Sequence, residues 1–264
     1  MATKLNDIKT LKKLKDLENL HEEKTYLFED EPVKVPLSLQ LREYFRQVVA
    51  EIFPPKCLMC GKKNLNAEEF PVCPDCLKIF NQYEKKKVFT GKDGKPIGVG
   101  IYRYDGIIRY FTQKMKYERK IKIAEGFGEI AVKHVLEFCK NRHINYIVPI
   151  PCHETRLKER GFNQAEVIAK VIAKKTGMIL RTDLIARTRY TEPQSKLSCS
   201  ERAFNVKDSF KILDENEIRG KDILLIDDIY TTGSTIEECS KVLKEHNTRK
   251  VYFLSLCVSA SNKN

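Results

Sequence analysis

The residues with the clearest chemical content lie in one run, Leu224-Leu225-Ile226-Asp227-Asp228-Ile229-Tyr230-Thr231-Thr232-Gly233-Ser234-Thr235. An apolar stretch of strand character ends in two carboxylates. A turn of small hydroxylated residues around one glycine follows, and then a helical pattern. The turn offers closely spaced backbone N–H groups and hydroxyls at a helix N-terminus, where the helix dipole favours a phosphate dianion. Asp227 and Asp228 only accept hydrogen bonds when ionised, which suits the paired hydroxyls of a ribose or the hydration shell of Mg²⁺. Phosphate donors and diol acceptors a few residues apart describe a sugar phosphate.

A second chemical set is Cys57-Leu58-Met59-Cys60, then twelve residues, then Cys73-Pro74-Asp75-Cys76. Two CxxC pairs at this distance can present four thiolates tetrahedrally to a structural zinc, with no open coordination position. A third is the loop 149–164, where Arg156, Lys158 and Arg160 stand close together. Planar guanidinium forks bind phosphate oxygens in pairs and stabilise negative charge as it develops on a leaving group. Glu154 and Glu159 interleave with these cations and can pair with them instead. His153, a lone loop histidine, receives no role.

These groups need positioning elements. Short apolar strands alternate with helical patterns from residue 146 onward: strand 146–150, helix 162–175, strands 184–186 and 208–212, strand 222–227, helix 234–246 and strand 250–258. That alternation implies a parallel sheet covered on both faces, an α/β fold with ligands at the carboxyl ends of strands. Asp227, the loop after Pro151 and the stretch after Ala186 would meet there. Residues 187–206 are too polar for a core and read either as a lid that excludes water from the site or as a solvated surface loop. Upstream, a strand over 97–104 precedes a helical stretch holding Lys116 and a helix over 120–139. The zinc module runs from a helix at 39–53 through the cysteines to a helix at 76–86. Residues 1–25 read as a Lys- and Leu-rich helix, and residues 29–39, with Pro32 and Pro36, as a linker. The expected divisions are 1–38, a charged extension; 39–90, the zinc module; and 91–264, the catalytic-type α/β domain.

The bulk properties narrow the field. The 264 residues carry 48 Lys and Arg against 36 Asp and Glu, a net +12, which favours polyanionic partners without choosing between nucleic acid and polyphosphate. With no Trp, no stacking platform for single strands stands out. No apolar run approaches about 18 residues, so no membrane insertion is expected. The N-terminus lacks an apolar signal centre, which makes the cytoplasm the expected location, in keeping with nine cysteines of which four form the two metal-binding pairs and five are scattered thiols, with no disulfide framework. The oligomeric state is not legible.

The string DDIYTTGST resembles the phosphoribosyl pyrophosphate (PRPP) motif of type I phosphoribosyltransferases. The resemblance implies that Thr231, Thr232, Gly233, Ser234 and Thr235 hold the ribose 5-phosphate. It implies also that Asp227 and Asp228 hold the ribose hydroxyls as the catalytic pair. The cysteine set, VPIP at 148–151, ERGFNQAE at 159–166, RTRYTEPQ…ER…N at 187–205 and LLIDDIYTTGST at 224–235 occur in one order. Together they resemble the ComF family (ComFC-like and GntX-like proteins), which carries an N-terminal zinc module on a type I phosphoribosyltransferase fold. On that resemblance the protein is a PRPP- and Mg²⁺-dependent transferase that releases pyrophosphate. Arg156, Lys158, Arg160 and Lys116 would take the pyrophosphate, and Arg187, Arg189, Gln194 and Arg202 would belong to the lid. The family association is with natural transformation, so single-stranded DNA and competence DNA-processing proteins are implied partners. The alternative is a PRPP-sensing, DNA-binding protein without turnover.

Overall fold

A computed structural model describes residues 25–28, 31–34, 41, 54, 56–64, 72–189 and 208–259. The chain divides into two compact units, Met1–Pro55 and Lys56–Asn264. In the first, β1 (Thr25–Phe28) pairs antiparallel with β2 (Glu31–Lys34), in the register Thr25↔Lys34 to Phe28↔Glu31. Residues 31–34, expected as part of the linker, thus form a strand. Pro32 is tolerated because each strand of a two-stranded ribbon leaves one edge unpaired, where a missing N–H costs nothing. The expected helices at 1–25 and 39–53 lie almost wholly outside the described residues; Leu41 is helical.

The second unit is built on a five-stranded sheet. Its strands are β3 (Glu84–Thr90), β4 (Pro96–Arg103), β5 (Tyr146–Pro149), β8 (Asp222–Tyr230) and β9 (Lys250–Val258), in the order β3-β4-β9-β8-β5. Four strands run parallel, and β3 adds an antiparallel edge. Parallel strands buried on both faces read as continuous apolar runs, and Ile223 to Ile226 are wholly buried. Because successive side chains point to opposite faces, Leu224 and Ile226 join one core while Ile223 and Leu225 join the other. Tyr252, Leu254 and Val251, Phe253 divide in the same way.

The first core lies under α1 (Pro74–Gln82), α2 (Gly106–Tyr117), α3 (Ile121–Cys139) and α5 (Gln164–Thr176). The second lies under α7 (Ser234–Glu245) and a small ribbon of β6 (Ile185–Arg187) with β7 (Phe210–Ile212). The short helices α4 (Glu154–Arg160) and α6 (Glu215–Ile218) complete the unit.

In the second unit several elements depart from expectation. The helix expected over 76–86 ends at Gln82, and Glu84 starts β3, because pairing with β4 captures the Lys-rich stretch as an edge strand. The strands at 184–186 and 208–212 pair with one another antiparallel, as Ile185–Arg187 with Phe210–Ile212, outside the main sheet. The loop after Pro151 holds the helix α4, started by His153, whose ring nitrogen accepts from Thr155 N. The motif strand runs three residues further than expected, since Ile229 and Tyr230 still pair with Cys257 and Val258.

Beneath β3, His134 of α3 is 2% exposed, with Nε2 3.6 Å from Glu84 Oε2 and its ring edge-on to Tyr102. Burial lowers its pKa from 6.5 to about 4 against the pull of Glu84; Lys133 and Lys86 push the same way. A depressed histidine pKa contributes stability that is present above the unfolded value and is lost as pH falls from 6.5 towards 4. The upper bound is about 3 kcal/mol. His134→Phe should therefore improve relative to wild type by about 2 kcal/mol between pH 7 and pH 4.5. Urea unfolding at both pH values measures this, and a pH-independent difference would refute it.

Candidate functional site

At the carboxyl end of β8 the chain passes through Asp227 and Asp228 into the turn that starts α7. Gly233 caps α7 with φ 90°, and a Cβ there would lie 2.2 Å from Tyr230 Oη, so the close approach admits only glycine. Tyr230 is held in turn by stacking on Phe253, with centroids 5.6 Å apart. Thr232 Oγ1 lies 2.7 Å from Ser234 Oγ and accepts from Ser234 N at 3.4 Å, which orders the turn internally. The twelve-residue α7 directs its N-terminal amides at the same place.

A cavity of about 330 Å³ opens there. Asp227, Asp228, Thr231 and Thr235 line one side, and Arg156, Arg160, Lys116 and Arg187 line others. Three separate segments, distant in sequence, thus deliver cations to one hole beside two carboxylates. Thr232, Gly233 and Ser234 shape the turn without lining the cavity. Lys158 does not join: it is exposed, because on α4 it projects away from the face that carries Arg156 and Arg160. Arg189 is exposed past the end of β6, and Gln194 and Arg202 lie outside the described residues.

Among the lining residues that escaped sequence reasoning are Tyr104, Arg109, Gln113 and Tyr117. The last three share one face of α2 with Lys116, at helical spacing. That spacing was the available signal, but nothing local says that this face of α2 reaches the motif aspartates. The expected helix-starting residues act as such. Asn163 Oδ1 accepts from Ala165 N at 3.1 Å, while its Nδ2 donates to Ile150 O at 3.0 Å, tying α5 to the end of β5. Gln164, buried, accepts from Arg160 Nη1 at 3.2 Å and steadies that guanidinium.

The two aspartates are electrostatically unequal. Lys116 Nζ lies 2.6 Å from Asp228 Oδ2, and both side chains are 14% exposed. Burial works against the Asp228 charge, yet Lys116 outweighs it and holds the carboxyl below its ordinary range. Asp227 accepts from Asp228 N at 2.8 Å. Burial first, and the neighbouring Asp228 charge second, push its pKa up to about 7. Burial and then Arg156 lower the pKa of Arg187, as expected where like charges crowd.

A raised carboxyl pKa contributes stability that is complete below the unfolded value of 3.8 and lost as pH rises through about 7. Asp227→Asn should therefore be more stable than wild type at pH 7.5, by about 2 kcal/mol, and near parity at pH 4. Denaturant unfolding at the two pH values checks this; a variant less stable than wild type at pH 7.5 would contradict it.

The four cysteines form the second site. All four Sγ atoms lie within 4.8 Å of one another, and Cys60 Sγ is 3.7 Å from Cys73 Sγ. Tetrahedral zinc with Zn–S bonds of about 2.3 Å requires sulfurs about 3.8 Å apart, so the donor set fits. Met59 N and Cys73 N donate to Cys57 Sγ at 3.4 and 3.3 Å, the pattern that stabilises a ligating thiolate. Cys57, Cys73 and Cys76 are buried and Cys60 is exposed.

Residues 121–263 match the family described as the phosphoribosyl transferase domain, and the chain belongs to that family. The chain is 24% identical over 201 residues to competence protein F of Haemophilus influenzae, covering 75% of this chain and 82% of that protein. It is 26% identical over 193 residues to competence protein ComFC of Bacillus subtilis, covering 72% and 71%. It is likewise similar to the DNA utilization protein YhgH of Salmonella typhi, 27% identical over 162 residues and covering 60% and 70%. The ComF resemblance carried by the motif order is upheld, as are the type I phosphoribosyltransferase fold and its cysteine cluster.

Proposed function

We propose that the protein binds Mg²⁺–PRPP in this cavity and transfers its phosphoribosyl group to an acceptor, releasing pyrophosphate. The observation that carries the reading is that the aspartate pair, the hydroxyls beside the start of α7 and cations from three segments share one hole. The 5-phosphate would sit on the 231–235 turn, where amides and hydroxyls converge at a positive helix end. Asp227 and Asp228 would accept from the ribose hydroxyls and fix the sugar ring. The bond from C1 to the pyrophosphate oxygen breaks with its electron pair leaving on pyrophosphate. Arg156, Arg160 and Lys116 would stabilise the charge that grows there. The acceptor's lone pair forms the new bond to C1, and a proton is lost where the acceptor carries one. Mg²⁺, when bound, neutralises part of the charge on the diphosphate. Zinc, held by Cys57, Cys60, Cys73 and Cys76, is structural.

The chain's relatives are named for competence and DNA utilization. We assign the protein to the same process, in the cytoplasm, with single-stranded DNA as a partner for its net charge of +12. No described helix is long and apolar enough to cross a membrane. Pyrophosphate release from PRPP, measured against a panel of bases, amines and short single-stranded oligonucleotides, tests the transferase reading. Acceptor-dependent release is expected. Tight PRPP binding with no release for any acceptor would favour a sensor.

A further inference from the structure

Arg119 lies between α2 and α3 with φ 52°, a left-handed conformation that a non-glycine residue rarely adopts. Its side chain crosses to the far end of α4. Nη2 donates to Glu159 O at 2.9 Å and to Lys158 O at 3.5 Å, and Nε donates to Glu159 O at 3.2 Å. These carbonyls belong to the last turn of α4, where helix geometry leaves acceptors without partners and a cation is favoured by the dipole.

The contact matters because α4 is short and lies outside the core. It is seven residues long and buries none of them, so neither its own hydrogen bonds nor a core fixes its orientation. The His153 cap and the Arg160–Gln164 hydrogen bond also tie it to its neighbours. Arg156 and Arg160 stand four residues apart on one face and line the cavity. Three residues before Arg119, Lys116 grips Asp228. The stretch 116–119 therefore fastens the cation-bearing helix at one end and the motif aspartate at the other.

We propose that Arg119 is a positioning residue that holds α4 so that Arg156 and Arg160 are preset for a diphosphate. The proposal rests on the reading of the cavity given above. Without the tether, a diphosphate ligand would itself have to order α4, and affinity would fall. A ligand held only by the 231–235 turn and the aspartates would not register the loss.

The test uses the full chain and calorimetric titration with Mg²⁺–pyrophosphate, Mg²⁺–PRPP and ribose 5-phosphate. Arg119→Asn suits the left-handed backbone but cannot reach α4. Arg119→Lys retains one donor. The Asn variant should bind pyrophosphate and PRPP about tenfold more weakly, keep ribose 5-phosphate affinity within about twofold, and unfold at the wild-type temperature. The Lys variant should fall between. Wild-type pyrophosphate affinity in the Asn variant, or equal losses for all three ligands, would overturn the proposal. If the Asn variant does not fold, wild-type pyrophosphate affinity in the Lys variant would overturn it alone. A wild-type chain that binds none of the ligands would sink the cavity reading itself, and the proposal with it.

Discussion

Asp228→Ala should weaken Mg²⁺–PRPP binding at least tenfold, about 1.4 kcal/mol, and should destabilise the fold as well. Both effects follow from one contact. Asp228 offers the acceptor expected to hold a ribose hydroxyl, and the same carboxylate neutralises Lys116 at 2.6 Å, with both groups 14% exposed. Removing it leaves a largely buried ammonium without its partner, at a cost of about 2–3 kcal/mol. The double variant Asp228→Ala/Lys116→Met should recover much of that stability but none of the affinity, since no stranded charge remains while the site is still lost. Calorimetry and thermal unfolding on the three proteins separate the two effects. Wild-type PRPP affinity in Asp228→Ala would remove the assignment of the aspartate pair. Asp227 behaves in the opposite sense: its carboxyl is held uncomfortably at neutral pH, so its removal stabilises while costing function.

Removal of metal from the cysteine cluster should have the largest effect on stability. Met59, Val72, Cys73, Cys76 and Phe80 belong to the same core as Ile101, Phe111 and Phe127, under the main sheet. On α3, a Cβ at Gly126 would meet Met59 Sδ at 3.0 Å, Leu58 Cβ at 3.3 Å and Val72 Cγ2 at 3.3 Å, so the module packs directly on the helix. Loss of a metal held there would therefore expose one side of the main core and not merely unfold an appendage. One zinc per chain is expected by elemental analysis. Cys60→Ser should lose it and lower stability by about 3 kcal/mol, roughly 6–12 °C in Tm. A metal-free chain with the wild-type Tm would contradict the structural role.

What the sequence disclosed, and what it hid, divides along the range of the interactions. The turn from β8 into α7 is legible because its chemistry is local. Asp227 to Thr235 are contiguous, and Gly233, required by the ring of Tyr230, lies three residues from it. The cysteine cluster is legible because tetrahedral metal coordination dictates its own spacing. The fold class followed from alternating apolar strands and helices, and the family match bears it out. Lys116 apart, the role of α2 was hidden. Arg109, Gln113 and Tyr117 sit on a helix whose local pattern says only that one face is apolar, and it is tertiary packing that brings the other face to Asp228. Strand β3 was hidden by its own residues, Lys85, Lys86 and Lys87, which suit a helix as well as an edge strand. The β6–β7 ribbon was misplaced because three-residue strands carry no signal for the direction of their partner.

The central claim is that the 231–235 turn and its flanking aspartates form the cradle for an activated ribose phosphate. A crystal structure of the full chain with Mg²⁺–PRPP addresses it without passing through turnover or acceptor. The expected result is the 5-phosphate on the amides of the turn, the ribose hydroxyls on Asp227 and Asp228, and the diphosphate against Arg156 and Arg160. Density for PRPP at another surface, with the cavity beside Asp228 still filled only by solvent, would contradict the account.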